Sequence, residues 1–227
     1  MQARFFLILF GIDALIELSL PYLFPSIPEI RFLTKPLLMI LLMCYVKSSG
    51  EVYFRNSILF SLFFACLGDV FLMIPGNSSL FFQLGLISFL IMQVSYIYLF
   101  IRQSRKMSLI SWPNRWLVLI FTIIYVFFFL NFLLPHIVPA LKLPVVFYAL
   151  ALGSTFFFAW QRKGSCTEAN FYYVVIGAFL FVISDSILAY GKFYHSFFGI
   201  STWVMITYIL SQLLLTIGLV AFTPVKN

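Results

Sequence analysis

Charged side chains are scarce in this chain. They make up 9% of its 227 residues, and only seven are acidic. An ordinary soluble domain carries about a quarter charged residues, so a water-facing surface around a core of this size is excluded. Cysteine is equally sparse: Cys44, Cys66 and Cys166 show no paired spacing, and two lie in apolar runs. A disulfide framework and a cysteine-based metal site are therefore unsupported. The two histidines, His136 and His195, fall in connections between apolar runs. With none inside a run, a transition-metal site has no imidazole to build on. Alternating strands of about ten residues, the mark of a membrane barrel, are missing as well. No stretch is long or polar enough to form a soluble domain.

What remains is apolar. Hydrophobic residues make up 63% of the chain, with 30 Phe among them, and they gather into eight runs near 5–24, 29–46, 56–75, 79–101, 115–134, 140–160, 169–191 and 199–222. Runs of this length read as membrane-spanning helices. The expected fold is all-α, a polytopic membrane protein of about eight helices forming one transmembrane domain over residues 1–227. The second run is the least regular, because Pro28, Arg31, Lys35 and Pro36 interrupt its start. The first holds Asp13 and Glu17 and lacks a small-residue cleavage site, which reads as a retained helix rather than a signal peptide. Asp69 and Asp185 stand 116 residues apart, and Pro36 and Pro144 stand 108 apart. Both spacings are close to half the chain, as two related four-helix halves would give.

The formal charge of +7 is topogenic and gives no reason to expect a nucleic-acid partner, since Lys and Arg sit mostly in short connections. With eight spans, one side collects Arg4, Lys47, Arg55, Arg102, Arg105, Lys106, Arg115, Arg162, Lys163 and Lys226. The other collects only Arg31, Lys35, Lys142 and Lys192. This bias places both termini in the cytoplasm, and the expected location is a bacterial cytoplasmic membrane.

Two acids interrupt the runs at depth: Asp69 in LFFACLGDVFLMI and Asp185 in GAFLFVISDSILAY. A carboxylate at the centre of a span costs roughly 2.5–3.5 kcal/mol on insertion scales. Hydrogen bonding between helices would use Ser or Asn at lower cost, so the two acids mark function. Each stands six residues before the far end of its run, ~9 Å inside it at 1.5 Å per residue. Lys35, Tyr148 and Tyr208 come to comparable depth from the same side, which gathers five polar groups into an expected pocket. Lys35 has three readings: snorkelling to the interface, a counter-ion for an aspartate, or a grip on a lipid phosphate, the last being favoured. Gln93 with Tyr96, and Tyr208 with Gln212, are spaced to share helix faces and to line the pocket. Asp13 and Glu17, four apart on one face, either pair with a basic residue of another helix or line an entrance.

At these residues the sequence resembles a known family. The segments KPLLMILL (35–42), LGDVFLM (67–73), GLISFLIMQVSYIYLF (85–100), GAFLFVISDSILA (177–189) and TYILSQLLL (207–215), in this order and spacing, are similar to the YhhN-type lysoplasmalogenases. The resemblance implies an integral membrane hydrolase that cleaves the vinyl ether bond of a lysophospholipid partner, releasing a fatty aldehyde and a glycerophospho-base. It implies Asp69 and Asp185 as catalytic residues, with Lys35, Tyr208 and Gln212 at family positions. Tyr148 and Gln93 join them as substrate-binding candidates. Gln93 stands where the family pattern FLxxHxxY has histidine; an amide forms hydrogen bonds but does not titrate.

Vinyl ether hydrolysis starts with protonation of the alkene carbon, so it needs a neutral carboxylic acid and a nearby anion. Two carboxylates in a low-dielectric pocket can divide those tasks, and no cofactor is required. A proton-coupled carrier is the other reading of intramembrane acids, and a non-catalytic lipid-binding protein is a third. A reporter fused after Asn227, or inserted between Arg105 and Lys106, is expected on the cytoplasmic side, with one near Asn77 opposite. Protease or alkylation mapping that finds 77 and 105 on the same face would remove the fourth span.

Overall fold

The computed structural model describes residues 2–24, 27–74, 79–104 and 112–224. The insertion points at Asn77, Arg105 and Asn227, and the basic residues Arg105, Lys106 and Lys226, lie outside them. The described residues form eight α-helices: α1 (Gln2–Leu23), α2 (Arg31–Ser48), α3 (Arg55–Met73), α4 (Ser79–Gln103), α5 (Trp112–Leu133), α6 (Pro139–Trp160), α7 (Glu168–Phe193) and α8 (Ile200–Val220). Each matches one apolar run to within a few residues. The protein is a polytopic helical membrane protein. Seven helices are long and apolar enough to cross a bilayer; α2 is the exception. It has 18 residues, three of them the cations Arg31, Lys35 and Lys47, and a helix so charged has to cover them with protein.

Packing divides the chain into two compact units, Met1–Ser95 and Tyr96–Asn227, with the division inside α4. In the first unit α1 lies along α2 and α2 along α3. Phe10, Asp13, Ala14, Glu17 and Leu20 recur at helical spacing on the buried face of α1. Glu17 is fully buried there and is answered from α2: Arg31 Nε donates to its Oε1 at 2.8 Å, and the Thr34 hydroxyl donates to Oε2 at 2.5 Å. Of the alternatives for this acid, pairing with a basic residue of another helix is the one the structure adopts.

In the second unit α7 and α8 make the most extensive helix pair, and α6 packs against both α5 and α7. Thr167 starts α7, its hydroxyl accepting from the Asn170 N–H, an ordinary N-cap. Without a hydrophobic force between helices in lipid, close approach depends on small residues. Gly177 fills that role: a β-carbon there would stand 2.9 Å from the Leu215 backbone nitrogen.

The turn between α6 and α7 buries a whole arginine. Arg162 donates from Nε to Gln103 Oε1 at 2.9 Å and from Nη2 to Asn170 Oδ1 at 2.5 Å. Its guanidinium lies 5.7 Å from the Phe100 ring centre and 5.8 Å from that of Phe222. Burial pushes it down to about 10, so it remains charged at neutral pH. The C-terminal ends of α4, α6 and α8 supply its surroundings, and the negative ends of their dipoles suit a cation. Asn170 completes the arrangement by donating to the Gly218 carbonyl near the end of α8.

The buried positions of α3 and α7 follow one register. Ile58, Ser61, Leu62, Ala65, Gly68 and Asp69 are the buried residues of α3. The residues 116 further on, Val174, Gly177, Ala178, Phe181, Ser184 and Asp185, are all buried in α7. The spacing noticed for the two aspartates thus extends to an entire helix face.

Asn170→Ala is expected to lower the stability of the protein in detergent by about 2–4 kcal/mol. It removes one hydrogen bond to a buried charge and another to a buried carbonyl. Thermal unfolding followed by circular dichroism measures it; an unchanged melting temperature would show that Arg162 does not hold these helix ends together.

Candidate active site

In the first unit Asp69 is 1% exposed near the end of α3. The preceding Gly68 lets α4 close on this level: a β-carbon at Gly68 would stand 2.7 Å from the Phe89 ring. The ammonium of Lys35 on α2 lies 3.2 Å from Asp69 Oδ1. Lys35 directly precedes Pro36, a proline inside the helix, and the Cys66 thiol, one turn before Asp69, donates to the Pro36 carbonyl at 3.8 Å. Of the three readings of Lys35, this contact is the counter-ion arrangement.

Gln93, also in the first unit, has no exposed surface, and neither end of its side-chain amide has a hydrogen-bond partner. A buried amide without a partner costs a few kcal/mol, which is tolerable where a polar ligand completes it. Asp13 Oδ2 is likewise buried without a partner.

In the second unit Asp185 is 9% exposed on α7. The hydroxyl of Tyr148 on α6 donates to its Oδ2. Beside it, the hydroxyls of Tyr125 on α5 and Ser186 on α7 lie 2.5 Å apart, and Asp185 is within electrostatic range of the Tyr125 hydroxyl. An apolar cavity of about 310 Å³ opens from this pair between α5, α6 and α7. Tyr96 donates to Gln212 Oε1 at 2.8 Å, joining the helix faces of α4 and α8 that were expected to line the pocket. Tyr208 is buried with its ring 6.4 Å from that of Phe181. Among the described residues no group of His, Cys, Asp and Glu is arranged to hold a metal ion.

Of the five groups expected at one depth, the structure joins Lys35 with Asp69 and Tyr148 with Asp185, each pair inside one unit. Tyr125 and Ser186 were missed. Tyr125 sits in the most apolar run, and Ser186 follows Asp185 on an adjacent helix position, so neither stands out by spacing. Only the packing of α5 against α7 brings them together.

Comparison with known proteins agrees with the motifs. The model of the YhhN family matches residues 30–219. The chain belongs to the YhhN family. The match takes in α2 to α8, and with them Lys35, Asp69, Gln93, Tyr148, Asp185, Tyr208 and Gln212. Asp13 and Glu17 on α1 precede the matched region. No curated protein and no solved structure matches the chain. Membership of the YhhN family supports a lysoplasmalogenase-like function at the level of the family.

Removing one partner of a buried ion pair costs about 3–5 kcal/mol, because the other charge is left behind. Lys35→Met is expected to destabilise the protein by that order, and Asp69→Asn combined with Lys35→Met to recover most of the loss. Melting temperatures of the two single variants and the double variant measure the coupling. Strictly additive losses would show that the 3.2 Å contact carries no coupling energy.

Proposed function

We propose that the protein hydrolyses the vinyl ether bond of a lysoplasmalogen-type lysophospholipid, giving a fatty aldehyde and a glycerophospho-base. The observation that carries this reading is the pair of buried aspartates at equivalent helix positions, each held by a different partner: Lys35 for Asp69 and Tyr148 for Asp185. Family membership supplies the substrate class.

Acid hydrolysis of a vinyl ether needs a proton delivered to the alkene carbon. The electrons of the double bond form the new C–H bond, and the adjacent carbon becomes an oxocarbenium ion. Water adds to that carbon and loses a proton to a carboxylate. The resulting hemiacetal collapses to aldehyde and alcohol, with the proton passing to the departing glycerol oxygen. The sum is substrate plus water, with no redox change and no cofactor.

In this reading Asp69, ion-paired with Lys35, supplies the negative charge that stabilises the cation. Asp185, oriented by the Tyr148 hydroxyl, delivers the proton. Lys35 is then a positioning residue that keeps Asp69 anionic. The unsatisfied amide of Gln93 suits a hydroxyl of the glycerol moiety or the attacking water. Tyr208 and Gln212 are assigned to orienting the glycerol moiety or the water. A carrier would also bury carboxylates, but a carrier has no need of the apolar cavity that opens at Tyr125 and Ser186.

Asp69→Asn and Asp185→Asn are each expected to reduce turnover of a vinyl-ether lysolipid by at least 10²-fold, the scale of general acid–base and electrostatic contributions. The assay is aldehyde release by purified protein in detergent, with a melting curve to show that each variant is folded. Near-normal turnover by either folded variant would overturn the two-carboxylate reaction. Absence of aldehyde release by the unaltered protein, with proton-coupled flux in liposomes, would favour the carrier.

A further inference from the structure

We propose that the cavity between α5, α6 and α7 holds the hydrocarbon chain of the lysolipid, and that the Phe156–Phe179 ring pair at the end away from Ser186 limits the length of chain accepted. This inference deepens the hydrolase reading and rests on it.

The cavity has a polar end and an apolar end. At the polar end stand the Tyr125 and Ser186 hydroxyls, and Ser186 directly follows Asp185 in sequence. The Ser186 hydroxyl is anchored by a further bond to the Val182 carbonyl. From there the lining on α7 recurs at residues 179, 182, 183, 186 and 187, which is one stripe of a helix. Phe179 and Ser186 are seven residues apart, ~10 Å along the axis. Because α7 spans Glu168–Phe193, Phe179 lies at its midpoint and Ser186 about halfway to its end. The cavity therefore runs from the level of the acid toward the middle of the span. A lysolipid standing in a bilayer has the same polarity, with its ether linkage near the headgroup and its chain pointing to the membrane centre.

At about 310 Å³ the cavity is at the small end of ligand sites, which run from about 300 to 1,000 Å³. At the end away from Ser186, the rings of Phe156 on α6 and Phe179 on α7 meet with centroids 5.9 Å apart, tilted by 51°.

Lipid tails are as apolar as the cavity wall, so moving a chain from bilayer to cavity brings little hydrophobic gain. What the cavity contributes is shape: a chain that fits brings its vinyl ether to Asp185, and one that is too long meets the ring pair first. Discrimination by an apolar pocket is typically tenfold or more per methylene.

The test uses synthetic alkenyl lysolipids of graded chain length with the unaltered protein, Phe156→Ala and Phe179→Ala. For the unaltered protein kcat/KM should fall sharply beyond one length. Each alanine variant should move that fall to longer chains, with a gain of about tenfold at the first length previously excluded. A profile of the same shape in all three proteins would overturn the assignment of the ring pair. A second measurement needs no turnover: a non-hydrolysable alkyl lysolipid with a diazirine at the chain end is photolysed with the protein, and the labelled residues are mapped by mass spectrometry. Label at Phe156 and Phe179 that excess alkyl lysolipid removes and diacyl phospholipid does not supports the chain site. Label spread over the outer helix faces, or removed equally by diacyl phospholipid, makes the occupant a bystander lipid and overturns the proposal. Failure of the unaltered protein to release aldehyde would instead count against the hydrolase reading, and the labelling would still decide where the chain binds.

Discussion

A carboxylate inside a bilayer has to be answered by the protein, since neither water nor lipid will do so. Three of the acids buried in the described residues are answered from a neighbouring helix: Glu17 by Arg31 and Thr34, Asp69 by Lys35, and Asp185 by Tyr148. This requirement governs the placement of α2. It supplies Arg31 and Thr34 on one side and Lys35 on the other, so its cations reach both α1 and α3. A helix with three cations is a poor span by composition; as the shared partner of two acidic helices it is well placed. Its charge and the acids of its neighbours are one design rather than two anomalies.

Much of this was legible in the chain. Eight apolar runs became eight helices, because runs of this length separated by charge or proline leave few alternatives. The common level of Lys35 with Asp69 and of Tyr148 with Asp185 followed from depth, as helices of constant rise carry equal residue counts to equal levels. What depth could not give was rotation about the helix axis. Lys35 at the right level suits a counter-ion as well as the phosphate favoured from the sequence, and its contact with Asp69 on α3 is what depth could not foresee. Tyr125 and Ser186 were hidden for the same reason: each is an ordinary polar residue in an apolar run until two helix faces meet. Arg162 escaped differently. It reads as one more topogenic cation in a connection, and its complete burial depends on Gln103 and Asn170, 59 and 8 residues away in sequence.

The shared burial register of α3 and α7 makes the two aspartates equivalent in backbone terms, yet their surroundings differ. Next to each is a proline-containing helix, α2 with Pro36 and α6 with Pro144. A proline inside a helix frees the carbonyl four residues before it, that of Phe32 in α2, while the Cys66 thiol of α3 donates to the carbonyl of Pro36 itself. From these matched helices come unmatched partners, an ammonium in the first unit and a phenol in the second. A cation next to one carboxyl and a neutral hydroxyl next to the other make two like groups chemically unlike. A symmetric pair would compete for one role. The partners also come from different places on those helices, Lys35 directly before Pro36 and Tyr148 four residues after Pro144, and under the proposed reaction this difference separates the anion from the acid.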